Sequence, residues 1–232
     1  MNDINANLQE TLANRINSVR ERMQAAAHRS GRDMAGIRLI AVSKNFDAVM
    51  VRMAYACGLL DFAENRVQEA EDKYRKLGDL RTGITLHMIG HLQSNKVSRA
   101  LNLFDIIHSV DSIKLAREIS NRAIDKVPVL LEVNVGGEAS KFGINISQLK
   151  EVVKSMGVIP NLEIKGLMTV APYTEDPEAV RPIFARLKKI NDNLGFTELS
   201  MGMTNDFEVA IEEGATMIRI GRAIFGERRY KN

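Results

Sequence analysis

The residue whose chemistry stands out is Lys44, which follows the short apolar run Leu39-Ile40-Ala41-Val42-Ser43. A run this short and continuous is typical of a parallel strand that is covered on both faces. Burial or a nearby cation lowers the pKa of a lysine, and the neutral amine can then form a Schiff base with an aldehyde. The alternative is a strand-end lysine that extends its ammonium group into solvent.

A second group of residues, near the C-terminus, is suited to binding a phosphate dianion. It combines hydroxyl groups, backbone amides made accessible by glycine, and a cation: Ser200, Thr204, Gly202, Gly221 and Arg219. A short helix from Ala223 onward would point its N-terminus to the same place. The alternative is that the glycines form tight turns and the hydroxyls cap helices.

One feature within this group counts against a phosphate, and a separate histidine pair must be judged as a metal site. Asp206 and Glu208 lie in a segment that resembles a capping box, and their carboxylates would repel a dianion there. His87 and His91 have the i, i+4 spacing of zinc ligands on a helix, but Gly90 separates them and the stretch reads as strand into loop. We therefore expect no metal, with His87 in the core and His91 at the mouth formed by the strand ends.

The composition is that of a globular protein in a reducing compartment. The 232 residues are 45% hydrophobic and 26% charged, and the net charge of +3 is too small to indicate nucleic acid binding. Cys57 is the only cysteine, so no disulfide forms within the chain. No apolar run is long enough to span a bilayer, and the N-terminus lacks the pattern of a signal peptide. We expect a cytoplasmic protein that is a monomer by default.

The elements that must position these residues alternate along the chain. Residues 4–28 have helical periodicity, and eight strand-like runs follow, separated by amphipathic segments such as 113–126 and 178–194. The runs are 38–43, 61–64, 85–89, 106–110, 129–135, 163–168, 198–201 and 217–220. This count predicts an α/β fold, a single (β/α)8 TIM-type barrel of residues 1–232 with an extra N-terminal helix, residues 1–30, packed on it. The rival, a doubly wound open sheet, usually has a glycine-rich turn after its first strand, where Ser43-Lys44-Asn45-Phe46 stands.

In such a barrel the polar residues converge, because the carboxyl ends of all strands meet at one mouth. The residues expected there are Lys44, Glu64-Asn65-Arg66, the segment 90–96 with His91, Asn134, Met168-Thr169, the segment 200–204, and Arg219-Ile220-Gly221-Arg222. Segment 138–143 would be either a mobile loop over the mouth or solvated surface.

These residues resemble a known family in several motifs that occur in the same order. The motifs are Ala41-Val42-Ser43-Lys44, Glu64-Asn65-Arg66-Val67-Gln68-Glu69, the segments 87–96 and 166–169, the segment 200–208, and Arg219-Ile220-Gly221 with Ala223-Ile224-Phe225-Gly226. From about Arg38 onward the chain is similar to the pyridoxal 5′-phosphate homeostasis proteins, the YggS/PROSC family. It departs from that family where Asn45-Phe46-Asp47 replaces Thr-Lys-Pro, where Ala63 replaces glycine, and where Arg222 replaces a small residue.

The resemblance implies a barrel like the N-terminal domain of alanine racemase that binds pyridoxal 5′-phosphate (PLP). It implies that Lys44 forms the Schiff base and that Ser200, Thr204, Gly221 and the amide of Arg222 bind the phosphate. Arg219 would approach either the pyridine nitrogen or the phosphate. The residues implied to line the pocket are Asn65, His91, Met168 and Met201.

The resemblance further implies a role in intracellular vitamin B6 and amino-acid homeostasis, with no established reaction. The protein would hold PLP and could deliver it to PLP-dependent apo-enzymes. An arginine at the pyridine nitrogen weakens the ring as an electron sink, and the chain ends soon after the eighth strand, where the racemase has a further domain. We therefore expect a cofactor-binding protein. The alternatives are a racemase-like PLP enzyme for an unidentified amino acid, with His91 or Tyr173 as acid or base, and a phosphate-binding barrel without PLP.

Overall fold

A closed barrel of eight parallel strands forms the centre of the computed structural model, which describes residues 2–137 and 142–227. The strands of the chain are β1 Arg38–Val42, β2 Asp61–Glu64, β3 Thr85–Met88, β4 Ile106–Val110, β5 Val127–Asn134, β6 Ile144–Asn145, β7 Leu162–Met168, β8 Glu198–Ser200 and β9 Met217–Ile220. All pairings are parallel, and β1 pairs with β2 on one side and β9 on the other, which closes the barrel. The predicted (β/α)8 fold is confirmed.

Helices surround the barrel. They are α1 Asn2–Arg29, α2 Ala48–Ala56, α3 Val67–Arg75, α4 Val97–Leu101, α5 Ile113–Arg122, α6 Ile146–Met156, α7 Arg181–Asn193, α8 Phe207–Glu212 and α9 Arg222–Phe225. Helix α1 buries the apolar stripe Leu12, Ile16, Val19 and Met23. Its Arg22 holds Glu208 of α8 through two hydrogen bonds of 2.9 and 2.7 Å, so the extra helix packs on the barrel's outer layer.

Two predicted helices are shorter than their periodicity suggested. Helix α5 ends at Arg122 rather than Lys126, since Ala123 is extended and Val127, which precedes Pro128, already belongs to β5. The segment predicted as a helix over 178–194 begins with a 3₁₀ turn, and the α-helix starts only at Arg181, next to Pro182. Strand β6, which pairs with β5 outside the barrel, was not predicted because it has only two residues.

The alternation of side chains along the strands divides the core into two layers. On β1, Ala41 packs into the layer between the strands and the helices, whereas Ile40 and Val42 pack inside the barrel with Ala63 and Met217. The interior is otherwise unusually polar for a barrel whose inside is normally filled by branched apolar residues. The buried polar side chains that face inward are His87, His108, Ser200 and Arg219.

Candidate active site

A cavity of about 570 Å³ lies at the carboxyl ends of β1, β8 and β9, and we call it the mouth cavity. Its volume is in the range of small-molecule and cofactor sites. Five of the ten predicted site residues line it: Lys44, Thr204, Arg219, Gly221 and Arg222. Phe46, Tyr173 and Asp206 also line it, so the cavity combines an amine, hydroxyl groups, two guanidinium groups and a carboxylate with aromatic surface.

Lys44 reaches this cavity because it extends the inward-facing row of β1, Ile40 and Val42. The chain turns immediately afterwards at Asn45, whose φ of 66° lies in the left-handed region that asparagine tolerates. Asp47 then caps α2 by accepting a hydrogen bond of 3.1 Å from the Met50 backbone N–H. The strand end and the turn therefore place Lys44, half-buried, at the edge of the cavity.

A buried polar cluster that the sequence did not reveal fixes the backbone next to Lys44. Lys73 Nζ of α3 donates to the Ser43 carbonyl and to Glu64 Oε1, both at 2.6 Å, and Ser43 Oγ donates to the same carboxylate at 2.7 Å. Tyr74 OH lies 3.2 Å from Ser43 Oγ. Burial raises the pKa of the Glu64 carboxyl group, against the effect of the Lys73 charge. The cluster links β1, β2 and α3 directly behind Lys44.

Arg219 is the buried cation of the mouth cavity. Its Nη1 donates to Ser200 Oγ at 2.6 Å, and its Nη2 donates to the Thr169 carbonyl at 2.7 Å. Burial lowers the pKa of the guanidinium to about 10, with Asp206 and Glu132 acting in the opposite direction. A cation held in this way, with 4% of its surface exposed, is suited to a ligand that carries negative charge or a lone pair.

Of the two carboxylates that the sequence placed near the phosphate group, Asp206 and Glu208, only Asp206 lines the mouth cavity. Asp206 Oδ1 accepts a hydrogen bond of 2.6 Å from the Met203 backbone N–H, and burial raises the pKa of this carboxyl group. Glu208 is turned outward to Arg22 of α1. The repulsion predicted for both carboxylates therefore applies to Asp206 alone, which lines the cavity. Arg222 is exposed and donates to Asn205 Oδ1 at 2.6 Å.

Two further predicted residues, Asn65 and His91, line a neighbouring cavity of about 380 Å³ at the ends of β2 and β3, the side cavity. His91 Nδ1 lies 3.2 Å from Asp111 Oδ2, and its ring stacks on Phe142 at a centroid distance of 4.2 Å. Within the described part of the chain, Asn65 Oδ1 is buried without a hydrogen-bond partner. Arg66 and Lys96 add positive charge at the same cavity.

The remaining three predicted residues lie inside the protein. Met168 and Ser200 are fully buried on adjacent, paired strands, and Ser200 is one hydrogen bond away from Arg219. Met201 packs in the outer layer between strands and helices. Alternation along β8 explains this placement, because Ser200 faces inward and its neighbour must then face outward. The Met201 side chain, which was predicted to line the pocket, therefore points away from the mouth cavity.

The structure also shows where other residues singled out in the sequence lie. Residues 138–141 of the proposed loop over the mouth lie outside the described residues. Phe46, one of the departures from the family pattern, packs its ring on Phe225 at a centroid distance of 5.1 Å. Gly90 is required where β3 ends, since a Cβ there would come within 2.3 Å of the Asn65 carbonyl oxygen. His87 is buried in the interior.

Comparison with known proteins decides the family. Residues 15–229 match the model of the alanine racemase N-terminal domain. The pyridoxal phosphate homeostasis protein of Aquifex aeolicus is 45% identical over 225 residues, which cover 93% of this chain and 98% of that protein. The chain belongs to the pyridoxal phosphate homeostasis protein family. The human member is 39% identical over 93% of this chain and 86% of its own length.

A solved structure of the same family is PipY from Synechococcus elongatus, which was determined with PLP bound. It is 36% identical to this chain, with a TM-score of 0.82 over 93% of this chain and the whole of PipY. Among the described residues of the family member presented here, no helix is long and apolar enough to cross a membrane.

The mouth cavity has the donors that PLP requires. A 5′-phosphate needs hydrogen-bond donors and positive charge, which Thr204, Arg222 and Arg219 offer, and an aldehyde needs an amine, which Lys44 offers. Phe46, whose ring packs on the buried Phe225, adds apolar surface to the same cavity for an aromatic ligand. The residues present therefore fit the cofactor.

Proposed function

We propose that this protein holds PLP as a Schiff base on Lys44 and serves intracellular vitamin B6 and amino-acid homeostasis as a carrier that delivers PLP to apo-enzymes. The observation that carries the proposal is that Lys44, Thr204 and Arg219, which come from three different strand ends, line one cavity. The PLP-bound structure of a relative supports it. Bound PLP supplies an aldehyde that condenses with a primary amine with loss of water.

Different residues bind the aldehyde end and the phosphate end of the ligand. Lys44 provides the amine, Thr204 and the backbone at Gly221 and Arg222 hold the phosphate, and Arg219 contacts either the pyridine nitrogen or the phosphate. The side cavity, with Asn65 and His91, lies beside this site at the ends of β2 and β3. Ser200 supports Arg219, because its hydroxyl already accepts from that guanidinium.

The carrier role rests on Arg219 lying at the pyridine nitrogen rather than at the phosphate. An arginine there, in place of a carboxylate, would not keep the pyridine ring protonated, and without that proton the ring is a poor electron sink. A site built in this way favours storage of PLP over turnover of an amino-acid substrate. We propose that residues 1–232 form one domain that acts in the cytoplasm as a monomer.

The test is mass spectrometry after incubation with PLP and reduction with borohydride, followed by peptide mapping. We expect one phosphopyridoxyl group, on Lys44, and none in Lys44→Ala, which should keep its fold because Lys44 adds little to the core. Lys96→Ala is the matched control, because Lys96 lines the side cavity. Adducts scattered over surface lysines, or none on Lys44, would contradict the proposal.

The second candidate is a racemase-like enzyme. It is favoured by one observation, that the phenol of Tyr173 lines the same cavity as Lys44 and is in a position to exchange protons. Incubation of the PLP-loaded protein with amino acids in deuterium oxide distinguishes the two functions. Exchange at Cα that is lost in Tyr173→Phe would support the enzyme, and no exchange would support the carrier.

A further inference from the structure

A continuous row of hydrogen bonds crosses the interior of the barrel and ends at Arg219. Arg219 Nη1 lies 2.6 Å from Ser200 Oγ, which lies 3.0 Å from His108 Nδ1. His108 Nε2 lies 2.9 Å from His87 Nδ1, and His87 Nε2 lies 3.0 Å from Asp61 Oδ1. The row thus joins five strands, β9, β8, β4, β3 and β2, and all its members except Asp61 are buried.

The chemistry of the two ends sets the direction of the protons in this row once each imidazole ring carries one proton. A guanidinium can only donate and a carboxylate can only accept. His87 then donates from Nε2 to Asp61 and accepts at Nδ1 from His108 Nε2–H. His108 Nδ1 in turn accepts the proton of the Ser200 hydroxyl, whose oxygen accepts from Arg219. In this arrangement both rings are Nε2–H tautomers.

The environment keeps the His108 ring neutral. Burial, together with the charges of Arg219 and Arg38, lowers the pKa of His108 well below its usual value. The planes of the two imidazole rings are inclined at 79° to each other, and the 2.9 Å between His87 Nδ1 and His108 Nε2 is a hydrogen-bond distance. A neutral row with fixed ends has one proton arrangement, and the oxygen of Ser200 is held as an acceptor within it.

This arrangement matters for Arg219, because the planar guanidinium is tied at two of its nitrogens. Ser200 Oγ accepts from Nη1 and the Thr169 carbonyl accepts from Nη2. Without His108 the Ser200 hydroxyl would have no acceptor for its proton among these partners, and a buried donor without a partner is costly. The orientation of Arg219 toward the mouth cavity therefore depends on residues that lie up to four hydrogen bonds away.

We propose that Asp61, His87 and His108 are positioning residues that fix Ser200 as an acceptor and so orient Arg219 toward an anionic ligand in the mouth cavity. The proton arrangement is independent of the ligand. Only the identity of the ligand as PLP rests on the proposed function.

The first test reads the tautomers directly. Protein labelled with ¹⁵N-histidine is examined by two-bond ¹H–¹⁵N correlation at pH 7, with assignments from His87→Gln and His108→Gln. We expect both buried rings to be neutral Nε2–H tautomers, and we expect Ser200→Ala to shift the His108 Nδ1 signal. An Nδ1–H tautomer or a charged ring at either position would overturn the proposal.

The second test measures how tightly the protein binds PLP. Asp61→Leu removes the terminal acceptor of the row, and the Asp61 side chain is partly exposed at the start of β2, so the variant should fold. We expect its dissociation constant to rise about fivefold to tenfold, the effect of one lost hydrogen bond. Asp61→Asn, whose amide oxygen still accepts from His87, should stay within about twofold of the wild type.

Ser120→Ala is the control for a general loss of stability. Its hydroxyl donates to the Pro160 carbonyl at 2.6 Å on the outside of the barrel, so it should lower the free energy of unfolding without changing PLP binding. Unchanged binding in Asp61→Leu, while the wild type binds PLP, would overturn the positioning role. Failure of the wild type to bind PLP would instead overturn the proposed function, and the histidine spectra would still decide the inference.

Discussion

At the scale of single residues, the ionisation of Glu132 should make the free energy of unfolding depend on pH. It alternates with the outward-facing Leu131 and Val133 on β5, so it faces the interior. Burial, and then the charge of Asp111, raise the pKa of its carboxyl group to about 7. The folded protein therefore binds this proton more tightly than the unfolded chain does. The stability contributed by the protonated form is complete below about pH 4 and is lost as the pH rises through 7.

We expect Glu132→Gln, which mimics the protonated form, to raise the free energy of unfolding of the ligand-free protein at pH 8 by about 1–3 kcal/mol. The gain should be much smaller at pH 5. Urea unfolding at both pH values measures it, with Glu151→Gln on the exposed side of α6 as control. A gain that is equal at pH 5 and pH 8 would contradict the raised pKa.

Arg219 supports a second prediction at this scale. Arg219→Lys keeps the charge but loses the planar fork that bonds Ser200 and Thr169 together. We expect PLP binding to weaken by about tenfold, since at least one hydrogen bond is lost, as measured by fluorescence titration. Arg222→Ala removes an exposed cation that bonds Asn205 and should have the smaller effect. The reverse order would mean that Arg222 is the principal anion contact.

At the scale of elements, the pair Glu64 and Lys73 joins β2 to α3. We expect Lys73→Met to lower the free energy of unfolding by about 3–5 kcal/mol, because it leaves the Glu64 carboxylate buried without its cation. The double variant with Glu64→Gln should recover part of that loss. Chemical unfolding of the two variants tests this, and a double variant less stable than Lys73→Met alone would contradict it.

The elements themselves were predictable from the sequence, but the inward contacts were not. Strand runs such as Ile106 to Val110 stand out because their apolar residues recur between amphipathic segments, and the structure has β4 over those residues. His108 within that run gave no signal, since its partner Ser200 is 92 positions away. Lys73 likewise gave no signal, since it stands among the other charged residues of α3. Partners brought together only by barrel closure cannot be read from local periodicity.

The convergence of the site was partly predictable for the same reason. Strand ends of a barrel meet at one mouth, so Lys44, Thr204 and Arg219 were expected together. The separation into a mouth cavity and a side cavity was not predicted, because it depends on where loop side chains such as Phe46 and His91 pack. Met201 was predicted to line the pocket but faces outward, because side chains alternate along the strand and its neighbour Ser200 faces inward. Similarity of motifs does not reveal which side chain of a strand faces which side.

At the scale of the whole molecule, one apolar layer runs around the barrel and includes residues from α1 to α9. Ligand binding at the mouth should therefore stabilise the whole fold. PLP at 100 times its dissociation constant adds about 2.7 kcal/mol, which should raise the melting temperature by about 5–10 °C.

Calorimetry with pyridoxine 5′-phosphate, which has no aldehyde, is the matched comparison for that prediction. It should stabilise the wild type less than PLP does, and Lys44→Ala should respond equally to both ligands. Equal stabilisation of the wild type by the two ligands would show that the covalent bond contributes nothing.

Closure of the barrel also limits how the protein can meet another protein. In the part of the chain that the structure describes, every barrel strand has a neighbour on each side, and only the two-residue β6 presents an outer edge. A partner cannot bind here by adding a long strand to a sheet edge, a mode in which main-chain hydrogen bonds give the affinity. An apo-enzyme that receives PLP as proposed would have to recognise side chains. Where those side chains lie around the mouth, the partner is selected at the same opening through which the cofactor leaves.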